Sequence, residues 1–243
     1  MAISSQEIQY TVNGEPFVGY YAFDDSQSGP RPGVLVVHEW WGHNDYVRQR
    51  AEQLAGEGFA ALAVDMYGAG RSGSTPDEAG ALMNAAMGTP GAIEARFDAA
   101  QATLCEQAEV DAGHVSAIGY CFGGAVVLNM ARAGKSLDVV SSFHGLLETE
   151  NPLNTGAFAG HIAVFNGADD PMVSAEILAG FEQEMEAASA TYTLKSYPGV
   201  VHGFTNPEAT ARGEKYGMPL KYDESADKES HATTIDLIRA SAG

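Results

Sequence analysis

One short segment of the sequence combines a reactive side chain with the small residues that a sharp turn requires. Cys121 stands between Gly119 and Gly123, in the pattern Gly-x-Cys-x-Gly. A nucleophile at the tip of a strand-to-helix turn has a strained backbone, so the residues two positions away must be tiny. An apolar run before Cys121 and a helical pattern after it fit such a turn, and a helix start favours a thiolate and offers oxyanion donors. The pattern predicts that Cys121 is a nucleophile, with a buried structural thiol as the alternative.

A nucleophilic thiol needs a base within reach and a carboxylate that orients the base. In α/β-hydrolases the acid and then the histidine follow the nucleophile along the chain. Here a later apolar run is followed by Asp169 and Asp170, and the next such run is followed by His202. We expect His202 to be the base and Asp169 to orient it, in preference to Asp170, whose following proline fits simple turn chemistry. His144 and His161 lie at predicted strand ends and are interpreted as structural or rim residues.

The elements that must position these residues form an alternating series. Residues 6–23 alternate weakly about Asn13-Gly14 and predict a β-hairpin at a sheet edge. The alternation of strands and helices from residue 33 onward predicts an α/β fold, a mostly parallel sheet with helices on both faces. Strands are predicted at 33–39, 59–67, 114–120, 138–144, 161–167 and 191–199, and helices at 44–57, 76–87, 90–109, 125–134, 174–188 and 225–240. No repeat, linker or large lid interrupts this pattern, so we expect a single domain over residues 1–243.

Motifs in four places together resemble the dienelactone hydrolase family, within the α/β-hydrolase superfamily. They are Gly-Tyr-Cys-Phe-Gly-Gly at 119–124, Gly-Ala-Asp-Asp-Pro at 167–171, Val-His-Gly-Phe at 201–204 and the segment that starts at Glu39. That last segment, Glu-Trp-Trp-Gly-His-Asn, resembles the family's Glu-aromatic-Gly-x-Asn. The resemblance extends from about residue 30 to residue 240. It implies an α/β-hydrolase fold without a large lid domain.

The resemblance also implies an activity and a mechanism. The expected enzyme is a cysteine hydrolase that cleaves small lactones or esters through a thioester acyl-enzyme. Glu39 would contact Cys121 and accept the thiol proton when substrate binds. The backbone N–H groups of Phe122 and Trp40 would form the oxyanion hole. The family acid precedes a short turn to a hydrophobic residue, which again favours Asp169.

Candidate substrate contacts follow from the same resemblance. Family members clamp a substrate carboxylate with arginines, and Arg71 and Arg212 are the candidates here. Neither arginine lies in a clear motif match, and a surface ion pair is an equal alternative for each. Trp41, Tyr120 and Phe204 are expected to be pocket walls.

Composition and charge narrow the possible partners. The chain has 13 Lys and Arg against 32 Asp and Glu, a formal charge of −19, which repels phosphate backbones and anionic lipid. There is no signal peptide pattern, and no apolar run approaches the roughly 18 residues of a membrane span. The two cysteines suit free thiols in a reducing compartment. We therefore expect a cytoplasmic protein, monomer or homodimer, with a small-molecule lactone or ester substrate and no cofactor, metal, nucleic-acid or membrane partner.

Two rival motifs are weaker. The pair His38 and His43 is five residues apart, rather than the four of a zinc helix, and a glycine precedes His43. Residues 68–73 match Gly-x-Gly-x-x-Gly, but no helix follows, so we interpret them as a flexible lip of the site. A general carboxylesterase and a non-catalytic ligand-binding protein of the same fold remain the alternative functions.

Overall fold

The computed structural model describes residues 2–243, which form two compact units. The first unit runs to Ala117 and the second starts at Ile118, so the boundary falls within strand β5. The strands are β1 (Ile3–Val12), β2 (Glu15–Asp24), β3 (Arg31–Val37), β4 (Ala60–Val64), β5 (Val110–Tyr120), β6 (Val139–Phe143), β7 (His161–Gly167) and β8 (Thr191–Tyr197). The helices are α1 (Asp45–Gly56), α2 (Pro76–Met87), α3 (Ala92–Cys105), α4 (Phe122–Arg132), α5 (Ala175–Ala188), α6 (Ala209–Tyr216) and α7 (Glu224–Ser241).

The first unit begins with a hairpin and continues with buried strands. Its strand order is β1-β2-β4-β3-β5, with β1 at the edge. Strands β1 and β2 pair antiparallel about Asn13 and Gly14, whose φ angles of 52° and 85° suit a tight two-residue turn. Strand β2 is antiparallel to β4, and β3 is parallel to β4. Every residue of β4 is buried, which explains its continuous apolar sequence.

The second unit contains the loops that carry the candidate site residues Asp169, Asp170 and His202. Its strand order is β5-β6-β7-β8, and β6 pairs parallel with β7, as β7 does with β8. All residues of β6 are buried, and only His161 of β7 is not. Because parallel strands end at one edge of a sheet, the loops that follow β6, β7 and β8 lie along the same edge.

The predicted α/β class with a mostly parallel sheet is confirmed. Besides shifts of up to four residues in the bounds of other elements, the structure differs from the sequence prediction at two helices. The helix predicted at 90–109 ends at Cys105, because strand β5 begins at Val110. The short helix α6 was not predicted. The expectation of one domain over residues 1–243 stays a prediction. Within residues 2–243, no helix has both the length and the apolar character to cross a bilayer.

A buried carboxylate organises the loop that follows β4. Asp65 is fully buried, and its two carboxylate oxygens accept hydrogen bonds from the backbone N–H groups of Val18, Tyr67, Gly68 and Gly70 at 2.8–3.1 Å. The amides of the first two glycines in the Gly-x-Gly-x-x-Gly motif therefore bind an internal carboxylate. They are not available to cradle a phosphate, which agrees with the rejection of a dinucleotide site.

A buried ion pair joins α4 to α5 in the second unit. The Arg132 guanidinium donates to both carboxylate oxygens of Glu184, at 2.7 and 2.8 Å, and also to the carbonyl of Leu147. The Glu184 carboxylate accepts a further hydrogen bond from the Leu153 N–H. Burial alone would raise the pKa of Glu184, but these hydrogen bonds and the arginine charge outweigh it and lower the pKa.

We predict that Glu184→Gln destabilises the protein near neutral pH by about 3 kcal/mol, because the Arg132 charge stays buried without its counter-charge. Urea unfolding monitored by circular dichroism measures the change. Glu182→Gln, on an exposed position of the same helix, is the matched control and is expected to change stability by less than about 0.5 kcal/mol.

The sign of the pH dependence follows from the lowered pKa of Glu184. The pair stabilises the fold above the ordinary glutamate pKa of about 4.3 and loses this effect as the pH falls through the lower folded-state value. The difference between wild type and Glu184→Gln is therefore largest at neutral pH and shrinks in acid. A difference that is constant with pH would contradict an ionic role for Glu184.

Candidate active site

The backbone at Cys121 has the strained geometry that the glycine spacing predicts. Cys121 has φ 53° and ψ −113° and directly precedes helix α4. Its N–H donates to the carbonyl of Phe143, at 3.0 Å, and its side chain is partly exposed. A Cβ atom on Gly119 would lie 2.0 Å from the carbonyl oxygen of Gly123. The strand and the helix therefore meet too closely for any larger residue at position 119, and the sulfur stands at the positive end of α4.

The imidazole of His202 connects this sulfur with a carboxylate. Asp170 and His202 are both buried, and the distance from His202 Nδ1 to Asp170 Oδ2 is 2.7 Å. The His202 side chain also hydrogen-bonds to Cys121. The structure thus brings together a thiol, an imidazole and a carboxylate in the order that nucleophilic catalysis requires.

The charge state of His202 depends on these two neighbours. Burial alone would lower the pKa of His202, because it penalises the charged ring. The negative charge of Cys121 and the hydrogen bonds to Asp170 and Cys121 act in the opposite direction, and they raise the pKa above that of an ordinary histidine. The carboxylate and the sulfur on either side of the ring therefore favour the charged form of His202.

The prediction that Asp169 orients His202 is wrong, because the structure places Asp170 there. The N–H of Asp169 donates to the carbonyl of Val200 at 2.9 Å, and the Asp169 side chain is exposed. The Asp170 side chain is instead buried. Its N–H donates to the carbonyl of Gly167, and the carboxylate oxygen that does not face His202 accepts a hydrogen bond from the N–H of Met172. The backbone pairing with Val200 thus decides which aspartate faces inward, and spacing could not reveal it.

Four predicted site residues lie in the first unit. Glu39 and Trp41 are buried, at 5% and 3% exposure, and Trp40 is partly exposed beside Trp41 with ring centroids 4.8 Å apart. The Arg71 guanidinium donates to the carbonyls of Gly68 and Tyr67 in its own loop. The proton-accepting role of Glu39, the oxyanion role of Trp40 and the substrate contact of Arg71 stay predictions.

The expected aromatic substrate contacts are mostly inaccessible. Tyr120 is 1% exposed and stacks on Phe143, and Phe204 is fully buried against Tyr197. Trp41 is also buried. These three side chains have little exposed surface, and their expected role as pocket walls stays a prediction.

Arg212 lies on α6 and pairs with Glu208, one turn earlier, at 2.6 Å. Its proposed contact with a substrate carboxylate stays a prediction.

Phe122 is the first residue of α4, and its N–H is therefore placed beside Cys121 at the helix start.

Two residues beside His202 were not selected from the sequence as functional. His144 was interpreted as structural or rim, yet its ring lies 5.1 Å from the His202 ring, measured between centroids. The His144 side chain also bonds to Thr205 in the loop that holds His202. The only sequence signal for His144 was its position directly after a buried strand, at the sheet edge where the site residues lie.

Metal ligation finds no support in the described residues. Among residues 2–243, no three side chains of His, Cys, Asp or Glu are grouped to hold a metal ion. The rings of His38 and His43 instead bond to backbone groups, His38 to Glu39 and Met66 and His43 to Ala63.

Comparisons with known proteins identify the family and the fold. The sequence pattern of the dienelactone hydrolase family matches residues 17–242. A Bradyrhizobium protein named "probable 2-oxo-3-(5-oxofuran-2-ylidene)propanoate lactonase" is 31% identical over 219 residues, which cover 83% of this chain and 84% of the relative. Protein usf of Aquifex pyrophilus is 30% identical over 212 residues, covering 83% of this chain and 87% of the relative.

Among solved structures, a dienelactone hydrolase-like promiscuous phosphotriesterase from metagenomic libraries is similar to this chain. The two are 33% identical, the TM-score is 0.91, and the match covers 99% of both chains. The fold predicted from the sequence is therefore confirmed.

We predict that Gly119→Ala prevents the close approach at the turn and destabilises the protein by about 3 kcal/mol or more. Thermal unfolding measures the effect. The matched control is Gly180→Ala in α5, where a Cβ atom would meet nothing within 4 Å. An alanine favours a helix, so this control is expected to be neutral or stabilising. Equal stability of the two variants would contradict the tight packing at the turn.

Proposed function

The chain belongs to the dienelactone hydrolase family and is a hydrolase of ester or lactone bonds, and we propose that it cleaves them through a thioester formed on Cys121. The observation that carries this proposal is the placement of one buried imidazole, His202, between Asp170 and the thiol. The lactonase name of the Bradyrhizobium relative favours small lactones among the possible substrates.

The backbone supports Cys121 as the nucleophile. Its strained φ of 53° is maintained by close contacts that no buried structural thiol requires. The sulfur lies at the start of α4, where the helix dipole stabilises a negative charge. Cys105, on α3, is also partly exposed, but burial raises the pKa of its thiol, which disfavours a reactive thiolate there.

The proposed reaction has two steps. The Cys121 thiolate attacks the carbonyl carbon, and the N–H of Phe122 stabilises the negative charge that develops on the carbonyl oxygen. The carbon–oxygen bond of the ester then breaks, and the protonated His202 gives its proton to the departing alkoxide. In a lactone the alcohol stays attached to the acyl group, so the ring opens.

Hydrolysis of the thioester regenerates the enzyme. His202, now neutral, takes a proton from a water molecule, whose oxygen attacks the thioester carbonyl. The carbon–sulfur bond breaks, the acid leaves and the thiolate faces an imidazolium again. Asp170 holds the ring with Nδ1 directed toward the carboxylate and stabilises the positive charge in both steps.

Some finer expectations stay predictions beside this proposal. The family resemblance alone predicts Glu39 as the group that accepts the thiol proton, a role that His202 fills in the reaction above, and Trp40 as the second oxyanion donor. The small-molecule substrate is consistent with the family. Cytoplasmic location and the monomeric or homodimeric state also stay predictions.

We predict that Cys121→Ala lowers the turnover of p-nitrophenyl acetate by at least about 1,000-fold, because the variant cannot form a covalent acyl-enzyme. The matched control is Cys105→Ala, which removes the other thiol and is expected to retain wild-type turnover. Mass spectrometry of rapidly quenched samples is expected to show an acetyl adduct on Cys121 in wild type and in Cys105→Ala. Wild-type turnover by Cys121→Ala would overturn the proposal.

We predict that Asp170→Asn lowers kcat by about 100- to 10,000-fold, because the amide cannot hold the correct tautomer or stabilise the imidazolium. The adjacent variant Asp169→Asn makes the same chemical change on an exposed side chain and is expected to stay within about twofold of wild type. Steady-state kinetics on the same ester compares the two. The reverse ranking would restore Asp169 as the orienting acid.

A further inference from the structure

Two consecutive residues at the end of strand β6, Phe143 and His144, contact the groups on either side of the proposed reaction. The carbonyl of Phe143 accepts the N–H of Cys121 at 3.0 Å. The next residue, His144, reaches the loop that carries His202. Its own N–H donates to the carbonyl of Phe165 at 2.8 Å, which ties it to β7. One short segment thus touches both the nucleophile and the base.

The side chain of His144 makes two kinds of contact with the His202 loop. Its ring meets the rings of His202 and Phe204 edge to face, with centroids 5.1 and 5.2 Å apart. Its Nε2 atom lies 2.8 Å from the hydroxyl oxygen of Thr205. His144 and Thr205 are both completely buried, so these contacts are shielded from competing water.

The backbone of His144 gives further evidence of a demanding position. Its φ is 43°, in the left-handed region that a non-glycine residue rarely adopts. The following Gly145 packs against the first turn of α4, where a Cβ atom on Gly145 would lie 2.8 Å from the carbonyl carbon of Gly124. His144 is therefore held between helix α4, which follows Cys121, and the loop that carries His202.

We propose that His144 is a positioning residue that holds the ring of His202 in line with Asp170 and Cys121, through the ring contact and through Thr205. The inference rests on the proposed function, because it gives His144 a role in aligning the base. His144 itself is not the base, since the carboxylate that orients the base binds His202.

Two backbone hydrogen bonds hold the other side of the loop. The N–H of Lys221 donates to the carbonyl of His202, and the N–H of Asp223 donates to that of Phe204. These bonds fix the path of the main chain but do not restrict rotation of the His202 ring about its side-chain bonds. The ring contact with His144 adds to the restriction that the hydrogen bond to Asp170 imposes on the ring.

The test separates the two contacts by substitution. His144→Phe keeps an aromatic ring but removes the bond to Thr205, whereas His144→Ala removes both. Thr205→Val replaces the hydroxyl with a methyl group, whereas Thr205→Ser keeps the hydroxyl. We expect kcat to fall roughly tenfold in His144→Phe and Thr205→Val and about 100-fold in His144→Ala, with KM within about twofold, because misplacement of a catalytic group by about 1 Å has effects of this size.

A second histidine provides the matched control. His161 is the first residue of β7 and lies at the end of that strand remote from the site. Its Nε2 atom lies 2.9 Å from the hydroxyl oxygen of Thr193. His161→Phe removes a bond of the same kind and is expected to leave kcat unchanged. Thr205→Ser is expected to recover wild-type kcat, and the double variant His144→Phe/Thr205→Val to be no slower than either single variant.

A spectroscopic readout tests positioning without turnover. The proton of His202 that bonds to Asp170 is expected to give a downfield NMR resonance, identified by its loss in His202→Ala. We expect His144→Ala to weaken or shift it, and His161→Phe to leave it in place. Should His144→Ala fail to fold, Thr205→Val provides the same comparison.

The outcomes separate this inference from the proposed function. Wild-type kcat and an unchanged resonance in His144→Phe and Thr205→Val would overturn the positioning role, as would an equal loss in His161→Phe. Wild-type turnover by Cys121→Ala, together with a resonance that still depends on His144, would instead overturn the thioester mechanism and leave the alignment of His202 intact.

Discussion

The strained backbone of Cys121 is the constraint on which the proposed site depends. A positive φ in a non-glycine residue is unfavourable by about 1–3 kcal/mol and persists only where the surroundings enforce it. Here the carbonyl of Phe143 binds the Cys121 N–H, and Gly119 lets the strand approach the helix at Gly123. Main-chain packing therefore fixes the backbone position from which the Cys121 sulfur projects.

The remaining chemistry is assembled from successive strand ends in the second unit. Strands β6, β7 and β8 are followed in turn by His144, Asp170 and His202. Burial would discharge an isolated imidazolium, but the neighbouring carboxylate and sulfur favour the charged ring. His202 is thus a buried ionisable group whose charge serves the proposed reaction. In the Arg132–Glu184 pair, the same balance between burial and opposite charge stabilises the fold.

The sequence was sufficient for the parts of the molecule that local rules control. Strand β7 begins and ends at the predicted residues, because a strand buried on both faces is a continuous apolar run. Glycine spacing and chain order selected Cys121 and His202 from the sequence, and the structure brings their side chains together. The choice of Asp170 over Asp169 depended on a hydrogen bond to Val200, and adjacent identical residues carry no record of it. The burial of Phe204 was missed because a loop's side-chain directions depend on tertiary packing.

The carboxylate of Asp65 has a consequence for the evolution of the loop that follows it. It binds only main-chain amides there, those of Tyr67, Gly68 and Gly70. An amide is common to every residue except proline, so the donors themselves do not depend on side chains. The φ angles of Gly68 and Gly70, 83° and 63°, favour glycine at these two positions. The other positions of the segment can diversify in sequence while the anchor is retained, and directed libraries at its exposed positions would vary chemistry on a preserved scaffold.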